Sequence, residues 1–137
     1  MVKLMHIRVL IVDDQPRARQ SLKALLATWF RAGDIREASS GRKALCLVEE
    51  SRPDVVLMDA RMPGMDGLEA THLIKTKWPE IKVVVLSMYP DYKVPALAAG
   101  ADAFIDKGEL PEHLLAILSA VVSGRHGTRP EEPALGL

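Results

Sequence analysis

One cysteine, no surplus of charge and no long apolar run mark what these 137 residues lack. A lone Cys46 cannot close an internal disulfide, so a reducing cytoplasm is the expected compartment. Its neighbours Ala44, Leu45, Leu47 and Val48 predict a small buried side chain with no redox role. Eighteen basic and eighteen acidic residues cancel, without a long run of either sign. That excludes the basic footprint of a nucleic-acid surface on this chain. The start, Met1-Val2-Lys3-Leu4-Met5-His6, has no apolar stretch of signal-peptide length. No segment reaches the roughly 18 apolar residues of a membrane helix, so a soluble protein without membrane contact is expected. There is no internal repeat, and neither a Walker A motif nor a dinucleotide-binding glycine fingerprint, which removes the common nucleotide-binding classes.

What is present is a set of carboxylates at the ends of apolar runs. Asp59 ends Val55-Val56-Leu57-Met58 and opens the loop Ala60-Arg61-Met62-Pro63-Gly64-Met65-Asp66-Gly67. Asp13-Asp14 ends a second run, Val9-Leu10-Ile11-Val12. If the two strands lie side by side and parallel, three carboxylates share a small volume. Each pair then repels by roughly 4 kcal/mol at an effective dielectric near 20. Protons or a hard divalent cation relieve that repulsion. Asp13-Asp14 as a mere cap on the next helix is the plain alternative, but it leaves the third carboxylate unexplained.

Five apolar runs, at about 7–13, 34–38, 54–59, 82–87 and 102–105, alternate with helical patterns. Their continuous apolar character suits a parallel sheet covered on both faces. Leu22, Leu25, Leu26, Trp29 and Phe30 share one face of a first helix that starts at Pro16 and ends at Gly33. A second helix spans 41–51 and stops before Pro53. Asp66 with Glu69 predicts a capped third helix that buries Leu68, Leu73 and Ile74 and ends near Pro79. A short fourth helix, about 91–99, carries Pro95, and its first turn is expected to be irregular. The last, about 110–123, presents Leu110, Leu114, Leu118 and Val121 or Val122. Right-handed crossovers favour an α/β, flavodoxin-like (βα)5 doubly wound sheet of five parallel strands in the order 2-1-3-4-5. Residues 125–137, rich in Gly and Pro, read as a flexible tail or the start of a linker after a domain spanning 1–124.

Four strings carry a resemblance: Val12-Asp13-Asp14; Met58-Asp59 with Met62-Pro63-Gly64-Met65-Asp66-Gly67; Leu86-Ser87; and Ala99-Gly100-Ala101-Asp102-Ala103-Phe104 leading to Asp106-Lys107. In this order and spacing the chain resembles the receiver domain of two-component response regulators over about residues 6 to 123. The resemblance implies a phosphoacceptor, Asp59, charged by a sensor histidine kinase. It implies Mg²⁺ held by Asp13, Asp14, Asp59 and the backbone carbonyl of Arg61. Lys107 would pair with Asp59 before reaction and with the phosphoryl group afterwards, and Ser87 would bond a phosphoryl oxygen. Phe104 stands where the family carries an aromatic switch residue; the bland reading is an aromatic that packs.

Two positions depart from the commonest pattern. Lys107 is followed by Gly108, where proline and a cis bond are frequent, which leaves the isomer open. Ser87 is followed by Met88, where alanine is frequent. Arg61 and Tyr89, two residues past the acceptor and the hydroxyl, would flank the phosphoryl group. Leu86-Ser87-Met88-Tyr89 looks like the branch whose full-length members end in a LuxR-type helix-turn-helix, implying a transcriptional output or another downstream partner, and possible phosphorylation-dependent homodimers. The expected function is phosphorylation-controlled signalling through helix four, strand five and helix five rather than enzymatic turnover. Two other classes share some of these residues. A docking receiver that needs no phosphorylation fits poorly with five functional residues present. An aspartyl-phosphate phosphohydrolase would need an Asp-x-Asp first strand and a cap insertion, and both are missing.

Overall fold

The computed structural model describes residues 6–29 and 31–123. The expected tail at 125–137 and the expected packing of Phe30 lie outside the described residues. Five strands run β1 Ile7–Val12, β2 Ala32–Ala38, β3 Val55–Asp59, β4 Lys82–Ser87 and β5 Ala103–Asp106. All pairings are parallel, in the order β2-β1-β3-β4-β5. The helices are α1 Pro16–Leu26, α2 Gly41–Ser51, α3 Gly67–Lys77, α4 Lys93–Ala98 and α5 Leu114–Val122. The expected doubly wound sheet is therefore the observed one, and its strand order reverses between β1 and β3, where the site lies.

Two apolar cores result, one on each side of the sheet. Leu10, Val12, Val56, Met58, Val83 and Val85 pack with α2, α3 and Ala96 of α4. Val9, Ile11, Val55, Leu57, Val84, Leu86 and Ile105 pack with Leu22 and Leu26 of α1 and with Leu114, Leu118 and Val121 of α5. Alternate residues of one strand thus enter different cores, as the two-residue pleat requires. That is why these strands read as unbroken apolar runs. None of the described helices is long and apolar enough to cross a membrane.

Four local expectations need correction. First, α1 ends at Leu26 rather than Gly33. The Thr28 hydroxyl donates to the Leu25 carbonyl at 2.7 Å and closes the turn. Trp29 continues the apolar period from outside the helix: it stays buried, with its indole N–H donating to Ser119 at 3.1 Å. Gly33 belongs to β2, where a β-carbon would crowd the His6 side chain at 2.8 Å. Second, α5 begins at Leu114. Leu110 is extended, as residues before proline tend to be, and a 3₁₀ turn over Lys107–Glu109 precedes it. The one cis peptide bond among the described residues is Leu110–Pro111, so Lys107–Gly108 is trans.

Third, Cys46 is exposed. On α2 the buried stripe is Gly41, Ala44 and Val48, and a residue two positions from either Ala44 or Val48 points away from it. Fourth, α3 buries Ala70, Thr71 and Ile74, while Leu68 is half-buried and Leu73 is 39 % exposed. The small residues on α3 let the helix lie close to the sheet. At the start of α4, a 3₁₀ turn over Pro90–Tyr92 gives the irregular entry expected from Pro95, with Pro90 opening that turn.

Candidate functional site

The carboxyl ends of β1, β3, β4 and β5 open into one cleft of about 720 Å³. Asp13 and Asp14 follow β1, Asp59 is the last residue of β3, Ser87 the last of β4, and Lys107 follows β5. The ladder pairs Asp59 with Leu86, and Ser87 with Asp106, so register alone sets Asp59, Ser87 and Lys107 side by side. All five converge on the cleft, and Arg61 and Tyr89 line it as well. Phe104 does not. It is half-buried in β5, paired with Val85 and packed against the core that includes Ala96 and Tyr92.

The geometry is tight at the acidic end. One oxygen from each of Asp13, Asp14 and Asp59 lies within 4.8 Å of the others. Lys107 Nζ donates to Asp59 Oδ1 at 2.7 Å and to Asp13 Oδ2 at 3.3 Å. The other Asp13 oxygen accepts the Gln15 N–H at 2.9 Å. At 1 % exposure, Asp13 is a buried carboxylate whose two oxygens are both occupied. Ser87 is 3 % exposed, and its Oγ accepts the Tyr89 N–H at 3.0 Å, leaving its own proton available.

Burial lifts the Asp59 carboxyl above its ordinary value of 3.8; the Lys107 hydrogen bond and charge oppose this, while repulsion from Asp13 and Asp14 adds to it. Burial also works against the charge on Lys107, yet the bond and charge of Asp59, with Asp13 behind it, outweigh that and hold the ammonium above 10.5. Both shifts run toward the protonated form, that of Asp59 chiefly through burial and that of Lys107 through its carboxylate partners. The set is short of positive charge, and its donors are hard oxygens of the kind that Mg²⁺ accepts. The residues fit that ion.

The loop after β3 is shaped by glycine at two places. Gly64 turns the chain with φ +76°, open to glycine without strain. Gly67 is the first residue of α3, and a β-carbon there would collide with the Asp59 carbonyl oxygen. Asp66 caps the helix by accepting the Glu69 N–H at 2.8 Å, the half of the expected capping box that the structure contains. Strand β3 and α3 are therefore in direct backbone contact.

Over the mouth of the cleft, the Arg61 guanidinium carbon stands 5.2 Å from the centroid of the Tyr89 ring. Tyr89 meets Tyr92 edge-on, centroids 6.3 Å apart. The sequence reading singled out Arg61 and Tyr89 but missed Tyr92 and Gln15 as cleft residues. The signal for Tyr92 was its spacing: with Pro90 favouring a 3₁₀ turn, residues three apart eclipse.

Residues 9–119 match the response regulator receiver domain family. Among curated proteins, the chain is 38 % identical over 110 residues to the Bacillus subtilis transcriptional regulatory protein YhcZ, covering 79 % of this chain and 51 % of that one. It is 35 % identical over 127 residues to the response regulator GacA of Pseudomonas aeruginosa, covering 91 % and 59 %. The chain thus spans a little over half the length of these relatives. Among solved structures, a LuxR-family two-component response regulator from Aurantimonas sp. superposes with a TM-score of 0.83 at 28 % identity, covering 88 % of each chain. The signal receiver domain of the response regulator NarL from Mycobacterium tuberculosis gives 0.81 at 30 % identity, covering 88 % of this chain and 98 % of that one.

Proposed function

The chain belongs to the receiver domains of response regulators, and from that premise we propose that it takes a phosphoryl group from a sensor histidine kinase onto Asp59. One observation carries the assignment: Asp59 is the carboxylate that Lys107 meets at 2.7 Å inside a three-carboxylate cluster. An ionised Asp59 oxygen attacks phosphorus, the bond from phosphorus to the donor breaks, and an acyl phosphate remains. Asp13, Asp14 and Asp59, with the backbone carbonyl of Arg61, hold Mg²⁺. When bound, Mg²⁺ neutralises charge on the transferring group and on the carboxylates.

Lys107 keeps Asp59 oriented beforehand and transfers one of its hydrogen bonds to a phosphoryl oxygen afterwards. Ser87 turns its free hydroxyl proton to a second phosphoryl oxygen. Its Oγ also accepts the Tyr89 N–H, so this new bond loads the segment that leads into α4. Phe104 responds from the same side of the sheet, and the readout is the surface of α4, β5 and α5. The relatives named as transcriptional regulators support a transcriptional output for the parent protein, and phosphorylation-dependent pairing of receivers is one route to it. The domain is a signalling element that assists its own phosphorylation and dephosphorylation, not an enzyme with a separate substrate. A cytoplasmic location accords with this role.

Incubation with Mg²⁺ and acetyl phosphate or phosphoramidate, followed by intact-mass measurement, tests the proposal. The mass rises by one phosphoryl unit, and Asp59→Asn abolishes the rise. A fully labelled Asp59→Asn variant at neutral pH overturns it.

A further inference from the structure

Asp13 is held at four points, and only two of them, Gln15 and Lys107, belong to its own segment or to the cleft. Its N–H donates to the Ala38 carbonyl of β2 at 3.1 Å; its carboxylate meets Gln15 and Lys107. The fourth is the backbone carbonyl. The paired registers of β1 end at Val12, so this carbonyl has no ladder partner. Instead it accepts from the Arg19 guanidinium at 2.7 Å. Arg19 lies on α1, one turn after Pro16, and its side chain is mostly buried. Its Nε pairs with Glu37 Oε1 at 3.0 Å, and the second Glu37 oxygen meets Lys23 at 3.4 Å. Glu37 precedes Ala38 in β2. One dipeptide of the edge strand therefore grips Asp13 twice, directly through the Ala38 carbonyl and indirectly through Glu37 and Arg19.

The carbonyl of Asp13 belongs to the peptide plane that joins Asp13 to Asp14. Fixing that oxygen fixes the plane, and the plane sets the relative aim of the two neighbouring carboxylates. We propose that Arg19 and Glu37 are positioning residues for the divalent-cation site, acting through the Asp13–Asp14 peptide rather than by touching the ion. The inference rests on the cation site assigned above and deepens it.

Charge and position make opposite demands, which renders the idea testable. Arg19 is a positive group that reaches the Asp13 backbone beside the cluster, so removing it would strengthen cation binding if only charge mattered. If its carbonyl contact orients the carboxylates, removal weakens binding. Partners of metal ligands of this kind typically contribute about 10–100-fold to affinity. A lysine preserves the charge but lacks the planar fork that bridges a carbonyl and a carboxylate together.

Mn²⁺ titration of the full chain, followed by magnetic resonance or calorimetry, decides the matter beside thermal unfolding of each variant. Arg19→Gln and Arg19→Lys are both expected to bind Mn²⁺ at least tenfold more weakly than wild type, and Glu37→Gln less severely so. Equal or tighter binding by Arg19→Gln, with a lowered melting temperature, makes the pair a plain structural salt bridge and overturns the proposal. So does wild-type affinity in Arg19→Lys. Asp14→Asn separates the two levels. If it weakens binding while the Arg19 variants do not, the cation site stands and this inference falls. If it and wild type bind alike, both fall.

Discussion

At the scale of single residues, the site is governed by an imbalance of charge. Three carboxylates face one lysine in a buried cleft, and burial above all, with repulsion from Asp13 and Asp14 added, makes Asp59 hold its proton more strongly than an ordinary aspartate. In the proposed site, proton and divalent cation would compete for the same oxygen. The sign follows: a raised carboxyl value means the cation-free protein carries more protons on Asp59 than the loaded one. Mg²⁺ affinity is therefore expected to fall with falling pH, with the decline setting in above pH 3.8, the ordinary value of this group. Calorimetric titrations in buffers of different ionisation enthalpy will register the released protons, and a pH-independent affinity would contradict the assignment. Asp14→Ala is expected to weaken Mn²⁺ binding, since its carboxylate serves the cluster without pairing to Lys107. Retention of wild-type affinity by that variant counts against the cation site.

At the scale of elements, the proposed coupling runs through the loops after β3 and β4. Ser87→Ala is expected to accept a phosphoryl group, because the hydroxyl neither attacks nor holds the ion. It should lose most of the response, since a ligand shifts a population only through contacts that differ between states. Lys107→Ala should likewise separate modification from response. Amide chemical shifts of residues 88–106, with and without a beryllofluoride mimic, are the measurement; a full response in Ser87→Ala rules out this route. Gly67→Ala tests the junction of β3 and α3. Its added methyl meets the Asp59 carbonyl, and overpacking of that kind typically costs about 1–3 kcal/mol, readable by urea unfolding.

Much of this was legible in advance where chemistry and period coincide. Val9–Val12, Val55–Met58 and Val83–Leu86 read as strands because both of their faces are buried. The acidic residues stood out because each ends such a run. The misreading of α1 has one cause, which is that period reports burial and not helicity. Trp29 is buried beyond the end of α1 and so appeared to extend it. Cys46 sat among apolar neighbours and yet points outward, because the stripe is set by Ala44 and Val48. Arg19 and Glu37 gave no signal, since a charged residue that braces a backbone carbonyl looks like any surface charge until the fold brings the two together.

At the scale of the molecule, one sheet separates two cores. Ser87, Val85 and Phe104 fall to the side of α4, whereas Leu118 and Leu26 fill the other. Leu118→Ala leaves a cavity in the second core and is expected to cost about 2–5 kcal/mol in chemical unfolding while leaving Mn²⁺ affinity near wild type. A large loss of cation affinity at full folding would mean the two layers are not separable. The parallel sheet has a further consequence, in time rather than space. Lys107 and Asp13, partners across the cleft, stand 94 positions apart in the chain. At about 5–20 residues per second of synthesis, the acidic pair leaves the ribosome several seconds before its lysine. Until β5 and the turn after it have been made and docked, the carboxylates lack their fixed cation and Asp59 lacks the group that orients it. A nascent chain therefore assembles the Asp59–Lys107 pair only when the last strand is in place.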